Sequence, residues 1–209
     1  MKRIGIIGGM SWESTVTYYQ LINREVQRRL GGYHSAEVVL RSVDFAPVEE
    51  MQRAGDWGRA GETLAAAAVD CVAGGAELLV LATNTMHKVF PAIEAAVAVP
   101  VIHIADATAD AARARRLSTL GLLGTSFTME EEFYRVRLES EAGLRVLVPD
   151  ADDRARVHRI IFEELVRGIV HENSRREYQE VMGSVVDAGA EGIILGCTEW
   201  NSHWAGFLL

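Results

Sequence analysis

Residues 75–85 read GAELLVLATNT, and 114 residues later, from Gly189, the chain reads GAEGIILGCTE. Each copy is a Gly-Ala-Glu lead, an apolar run short enough for a buried strand, and then a cluster of small polar residues. A second pair matches at almost the same distance: IGIIGGMS (4–11) and LGLLGTSF (120–127), 116 residues apart. The segments that follow place Tyr18-Tyr19 near Phe133-Tyr134. Glycine-ended apolar strands recur in any βα unit, but here order, spacing and a tripeptide identity agree. The pattern therefore implies a duplicated unit. In the alignment of the copies Cys197 falls on Thr83.

The rest of the chain follows the same alternation. Strands are expected at 3–9, 36–45, 77–83, 99–105, 118–124, 144–150 and 191–197. Helices are expected at 11–32, 56–75, 105–116, 126–140, 151–169 and 172–188, with Ser11 capping the first and Gly31-Gly32 stopping it. Apolar strands separated by helices predict mostly parallel sheets covered on both faces. The expected fold class is α/β: two pseudo-symmetric lobes, 1–101 and 102–209, with the turnover near Pro100 and the active site in the cleft between them. Ligands of open parallel sheets gather beyond the carboxyl ends of the strands, which is where Thr83 and Cys197 fall.

Composition removes several function classes. The chain has 209 residues and a net charge of −8, which argues against nucleic acid or an anionic membrane as partner. No apolar stretch approaches the ~18 residues of a membrane span. The N-terminus MKRIGIIGGM reads as a first strand, and two cysteines without a secretion signal suit a reducing, cytoplasmic setting. The six histidines and two cysteines lack ligand spacing, so no metal site is expected. GIIGG lacks the G-x-G-x-x-G spacing of a dinucleotide loop, so no nicotinamide cofactor is expected either. Cys71, inside AAAAVDCVAGG, is expected in a helix core. The acidic run MEEEF (129–133) is expected to begin a helix, where negative charge favours the dipole. His103 reads as structural, Glu163 and Glu164 as solvated or rim residues, and His87 either orients a carboxylate or caps a helix.

Two polar strand ends facing each other would put one acid/base group on each side of a small molecule. Such an arrangement suits removal of a proton from one face of a carbon and its return on the other. Asn84 and Thr85 on one side, Thr198 and Glu199 on the other, supply hydrogen bonds, with GGMS (8–11) and GTSF (124–127) on the same rim. The plainer alternatives are that Cys197 is a small core residue, that Thr83 caps the next helix, and that Met10 and Gln52 are ordinary core or loop residues.

Seven stretches together carry a family likeness: IGIIGGMSWEST (4–15), HSAEVVLRSVDF (34–45), ATNTMHK (82–88), HIADAT (103–108), LLGTSFTM (122–129), IIFEEL (160–165) and GCTE (196–199). The chain resembles the aspartate/glutamate racemases, which invert amino acids without a cofactor, over nearly its whole length. The resemblance implies a two-lobed α/β protein, a homodimer, and proton transfer between paired cysteines. The second cysteine maps to Cys197 and the first to Thr83, which places the chain in a Thr-bearing subgroup associated with broad, L-preferring activity. Carried over with them as substrate contacts are Met10, Gln52, the turn Thr83, Asn84 and Thr85, and Thr198 and Glu199. A thiol ionises near pH 8.5 and a threonine hydroxyl hardly at all. The expected enzyme is therefore lopsided: Cys197 takes the proton of the L-isomer, and Thr83, alone or through water, returns one. The family's usual C-terminal strand and helix are expected to be missing, since GCTE is followed by WNSHWAGFLL ending at Leu209. Trp200, Trp204, Phe207 and Leu208 would then cover apolar surface or join a dimer contact. Two rival readings remain: a one-cysteine decarboxylase or isomerase of the same superfamily, and an amino-acid-binding protein with impaired catalysis.

Overall fold

The structure is a computed structural model that describes residues 1–197. Two compact units divide the chain, Met1–His103 and one that begins at Ile104. In the first, the strands β1 (Ile4–Gly8), β2 (Val38–Ser42), β3 (Leu78–Leu81) and β4 (Val101–Ile102) form one sheet in the order β2-β1-β3-β4, with every pair parallel. Its helices are α1 (Trp12–Leu30), α2 (Phe45–Ala54), α3 (Trp57–Ala73) and α4 (Phe90–Ala95). In the second, β5 (Thr119–Leu123), β6 (Arg145–Leu147) and β7 (Gly192–Leu195) run parallel in the order β6-β5-β7. The helices there are α5 (Ile104–Ala114), α6 (Ser126–Glu130), α7 (Glu132–Ala142), α8 (Ala151–Glu163) and α9 (Glu172–Asp187).

The repeated sequence has a packing reason. On α3 the apolar residues Ala60, Leu64, Ala67, Ala68 and Cys71 make one buried stripe, joined in a single core with Ile7, Leu79 and Leu81 of the sheet. The helix lies so close to β1 that a Cβ on Gly5 would stand 2.9 Å from Cβ of Ala76 and 3.0 Å from that of Cys71. Gly121, at the matching place in β5, is crowded in the same way: a Cβ there would come within 2.6 Å of Ile193 and 2.5 Å of Val185 on α9. Each unit thus needs a glycine in its first strand, because the helix preceding β3 or β7 presses on it. A second core, with Leu122, Leu123, Tyr134, Leu138, Ile160 and Tyr178, fills the second unit.

Several expected boundaries shift. The strand expected over 36–45 ends at Ser42, because the Asp44 carboxylate accepts from Ala46 N–H and starts α2 at Phe45. The strand expected over 99–105 shrinks to Val101–Ile102, since α5 begins at Ile104. The helix expected over 126–140 breaks at Glu131, whose backbone is extended, and resumes at Glu132. The helix expected over 151–169 stops at Glu163, followed by a 3-10 turn Leu165–Arg167. No described helix is long and apolar enough to cross a membrane.

Tyr134 lies in the second core, and its hydroxyl is 3.0 Å from Thr108 Oγ1. The Thr108 hydroxyl hydrogen goes to the Ile104 carbonyl, so the tyrosine donates. Burial pushes the phenol up to about 12, with the Thr108 bond pulling weakly the other way. A phenol raised in the folded state stabilises fully below its unfolded value, about 10, and that stability is lost as pH climbs towards 12. An ultraviolet titration should show Tyr134 ionising in a late step, near pH 12, with alkaline unfolding beginning above about pH 10. In Tyr134→Phe the late step should vanish.

Candidate functional site

In the first unit the carboxyl ends of β1 and β3 are built from turns that release backbone groups. Gly9 has φ +98, and a Cβ on it would stand 2.7 Å from Val43 N, so only glycine fits. A Cβ on Gly8 would meet Oγ1 of Thr15 at 2.6 Å. That hydroxyl oxygen accepts from Gly9 N–H (2.8 Å) and donates to Ser11 C=O (3.0 Å). Ser11 in turn caps α1, accepting from Ser14 N–H (3.4 Å). Met10, buried among Met51 and Met86, thus sits on a loop tied at both ends.

Beside it, the last bond from this end of β3 to β1 is Ala82 N–H to Ile7 C=O, 2.9 Å. Thr83, Asn84 and Thr85 follow, all buried, and lead into a 3-10 turn Thr85–Val89. Gln52 arrives from α2 and donates through Nε2 to Met86 Sδ (2.9 Å), a weak acceptor. Gln52 Oε1 and Asn84 Oδ1 are buried and have no hydrogen-bond partner among the described residues. Nor does any hydrogen bond to a described residue engage the Thr83 hydroxyl or the Asn84 N–H. Buried polar groups are nearly always paired. Two acceptors and two donors without partners among the described residues mark a candidate site for a small polar ligand, since an ammonium can satisfy amide oxygens, and a carboxylate an N–H and a hydroxyl.

In the second unit Gly196 N–H donates to Leu123 C=O at 2.6 Å, and Cys197 follows, 7% exposed against the core that holds Leu122, Leu123 and Met129. Both cysteines are thiols. They differ in setting: Cys71 has no exposure, its sulfur lies 3.8 Å from the Ile6 carbonyl, and burial pushes its thiol up, as expected of a core residue. On the neighbouring β5 end, Thr125 caps α6. The next residue was not singled out from the sequence as part of a pair: Ser126 N–H and Oγ lie 3.1 and 2.7 Å from Nδ1 of His158 on α8. Since the N–H can only donate, that nitrogen is unprotonated. Burial lowers the His158 pKa, with Glu130 opposing weakly.

Thr198 and Glu199 lie outside the described residues, as do Trp200, Trp204, Phe207 and Leu208. Glu163 is exposed, but Glu164 is a correction: it is buried, and its carboxylate accepts from Ser174 Oγ (2.6 Å) and His171 N–H (3.4 Å), tying the end of α8 to the start of α9. His103 is buried, its ring edge-on to those of His87 and Phe90, each 4.6 Å away.

Each of the two α/β units carries a parallel sheet with polar residues just beyond its strand ends, the place where open α/β sheets bind small molecules. The comparisons name the family. Residues 7–205 match the Asp/Glu/Hydantoin racemase family, and the chain belongs to it. It is 50% identical to a candidate Asp/Glu racemase from Yersinia pestis, over 97% of this chain and 88% of that one, with a TM-score of 0.88. An aspartate racemase homologue from Pyrococcus horikoshii is 38% identical over 96% of this chain and 87% of its own, with a TM-score of 0.78. The aspartate racemase of Picrophilus torridus shares the fold at 18% identity, covering 97% and 83%, with a TM-score of 0.76.

The orphaned Gln52 oxygen yields a prediction. Gln52→Met keeps the shape and removes a buried polar atom without a partner, a defect that costs about 1–3 kcal/mol. The ligand-free variant should melt higher than the parent and, if the oxygen meets a ligand, gain less than the parent does from added L-aspartate or L-glutamate. Calorimetry with and without amino acid checks both halves.

Proposed function

We propose that this chain is a cofactor-independent, L-preferring amino-acid racemase of the aspartate/glutamate type, with Cys197 and Thr83 as its proton-transfer groups. The observation that carries the reading is the β3 end: the Thr83 hydroxyl, Asn84 N–H and the Asn84 and Gln52 amide oxygens, all in buried residues and all without partners among the described residues. They match what the carboxylate and ammonium of an amino acid need. Family membership supplies the reaction class, and the names of the two closely similar structures point to aspartate or glutamate.

In the proposed reaction Cys197, as thiolate, removes the α-proton of the L-isomer. The electron pair left on the α-carbon spreads into the carboxylate, which becomes enediolate-like. Donors already in place stabilise that charge without reorganising, and the Asn84 N–H is one. Thr83, directly or through a water, then returns a proton to the other face of the carbon, and solvent water restores the proton lost there and takes up the one held by Cys197. A hydroxyl donates more readily than it ionises, so at saturating substrate the L-to-D direction has the larger kcat, while the equal energies of the enantiomers hold kcat/KM equal in the two directions. Met10 and Thr85 complete the contacts on this side, and Thr198 and Glu199 are proposed for the other.

The test is α-proton exchange in deuterated water over a panel of L- and D-amino acids. Cys197→Ser, checked for unchanged melting, should lose exchange of the L-isomer by about 10²–10⁴-fold, the usual contribution of a positioned base. Thr83→Cys should raise the D-to-L rate roughly tenfold or more, since a thiol is now the base for that direction. Undiminished exchange in Cys197→Ser would overturn the assignment.

A further inference from the structure

His87 stands four residues beyond Thr83, inside the 3-10 turn, and both its main chain and its ring grip the two peptides before the turn. Its N–H donates to Asn84 C=O at 3.0 Å. Its ring Nδ1 lies 2.7 Å from Thr83 C=O. A carbonyl oxygen only accepts, so Nδ1 carries a hydrogen and donates. The ring itself is fixed: it is 2% exposed, stacked on Phe90 at 5.7 Å with planes 9° apart, and met edge-on by His103.

The consequence lies on the other side of the peptide. Met10–Ser11 is the cis bond of the described chain, and the Thr83–Asn84 bond is trans. In a planar trans peptide the C=O and the following N–H point in opposite directions. A ring that holds the Thr83 carbonyl therefore also sets where the Asn84 N–H points, and that N–H meets no described acceptor. We infer that His87 is a positioning residue: by anchoring the Thr83 carbonyl it aims the Asn84 N–H at the substrate carboxylate, and it fixes the backbone from which the Thr83 hydroxyl projects. This deepens the racemase reading and rests on it for the identity of the ligand. The role needs a donor at the Nδ1 position and no ring basicity.

Two substitutions separate this role from mere packing. His87→Asn keeps an N–H donor near the position of Nδ1, whereas His87→Leu fills the space and donates nothing; His87→Ala is a second donor-less variant. In His87→Leu, kcat for exchange should fall about a hundredfold, as expected when reacting groups are displaced by about an ångström, while KM changes little. His87→Asn should recover most of that loss. If the asparagine and leucine variants lose kcat alike, or neither loses it, the positioning role is overturned. A nitrogen-15 spectrum decides the geometry without turnover. The Asn84 amide resonance should keep its place in His87→Asn and move in His87→Leu and His87→Ala, and an unmoved resonance in all three contradicts the anchor. A parent protein that exchanges no amino acid would end the racemase reading, and the spectrum would still decide the anchor.

Discussion

The parallel ladders β1–β3 and β5–β7 govern the rest of this molecule. Because both strands of each pair run the same way, their carboxyl ends stop side by side, and the chain must turn there twice within a few ångströms. Ala82 N–H to Ile7 C=O, and Gly196 N–H to Leu123 C=O, are the bonds that close the two ladders. Just beyond each closing bond the backbone leaves the sheet without its partner strand, and the next side chains, Thr83 and Cys197, occupy the exit. The glycines that admit a helix against β1 and β5, Gly5 and Gly121, serve the same end. They let the helix faces close tightly on the sheets.

Stability and function pull against each other at the first of these exits. Gln52 and Asn84 each bury an amide oxygen that no described residue satisfies. A sequence selected for stability alone would place apolar residues there, as it does in the helix stripe of α3. Retaining amides at a cost to the empty protein is expected where a ligand completes them. His87 belongs to the same economy of structure: it closes the turn after Thr83 with its backbone and its ring, leaving the opposite edge of the peptide open.

The α/β architecture, the repeat and the core role of Cys71 could be read from the residues, because each depends on local pattern: apolar strands ended by glycine, and alanines spaced along one helix face. Boundaries were harder. The apolar run VPVIHIA gives no hint that pairing stops after Ile102, since Ile104 and Ala105, which continue it, begin α5 instead. The break at Glu131 follows from an extended backbone that three consecutive glutamates do not announce. At the site, the polar cluster 83–85 was visible in the chain, and the fourfold spacing from Thr83 to His87 was open to a capping reading. What joined them, a ring nitrogen on a carbonyl, needs coordinates. The Ser126–His158 pair spans 32 residues and two helices, and nothing local signals it.

The central claim is that two different groups handle the proton, a thiol taking it and a separate hydroxyl or its water giving one back. The most direct measurement is the isotope content of the first D-product formed from unlabelled L-substrate in deuterated water. With two groups, the returning one has already equilibrated with solvent, so the earliest product should carry deuterium at the α-carbon in nearly every molecule. Early product that keeps its original hydrogen would mean that one group carries the same proton from face to face, and the pairing of Cys197 with Thr83 would be wrong.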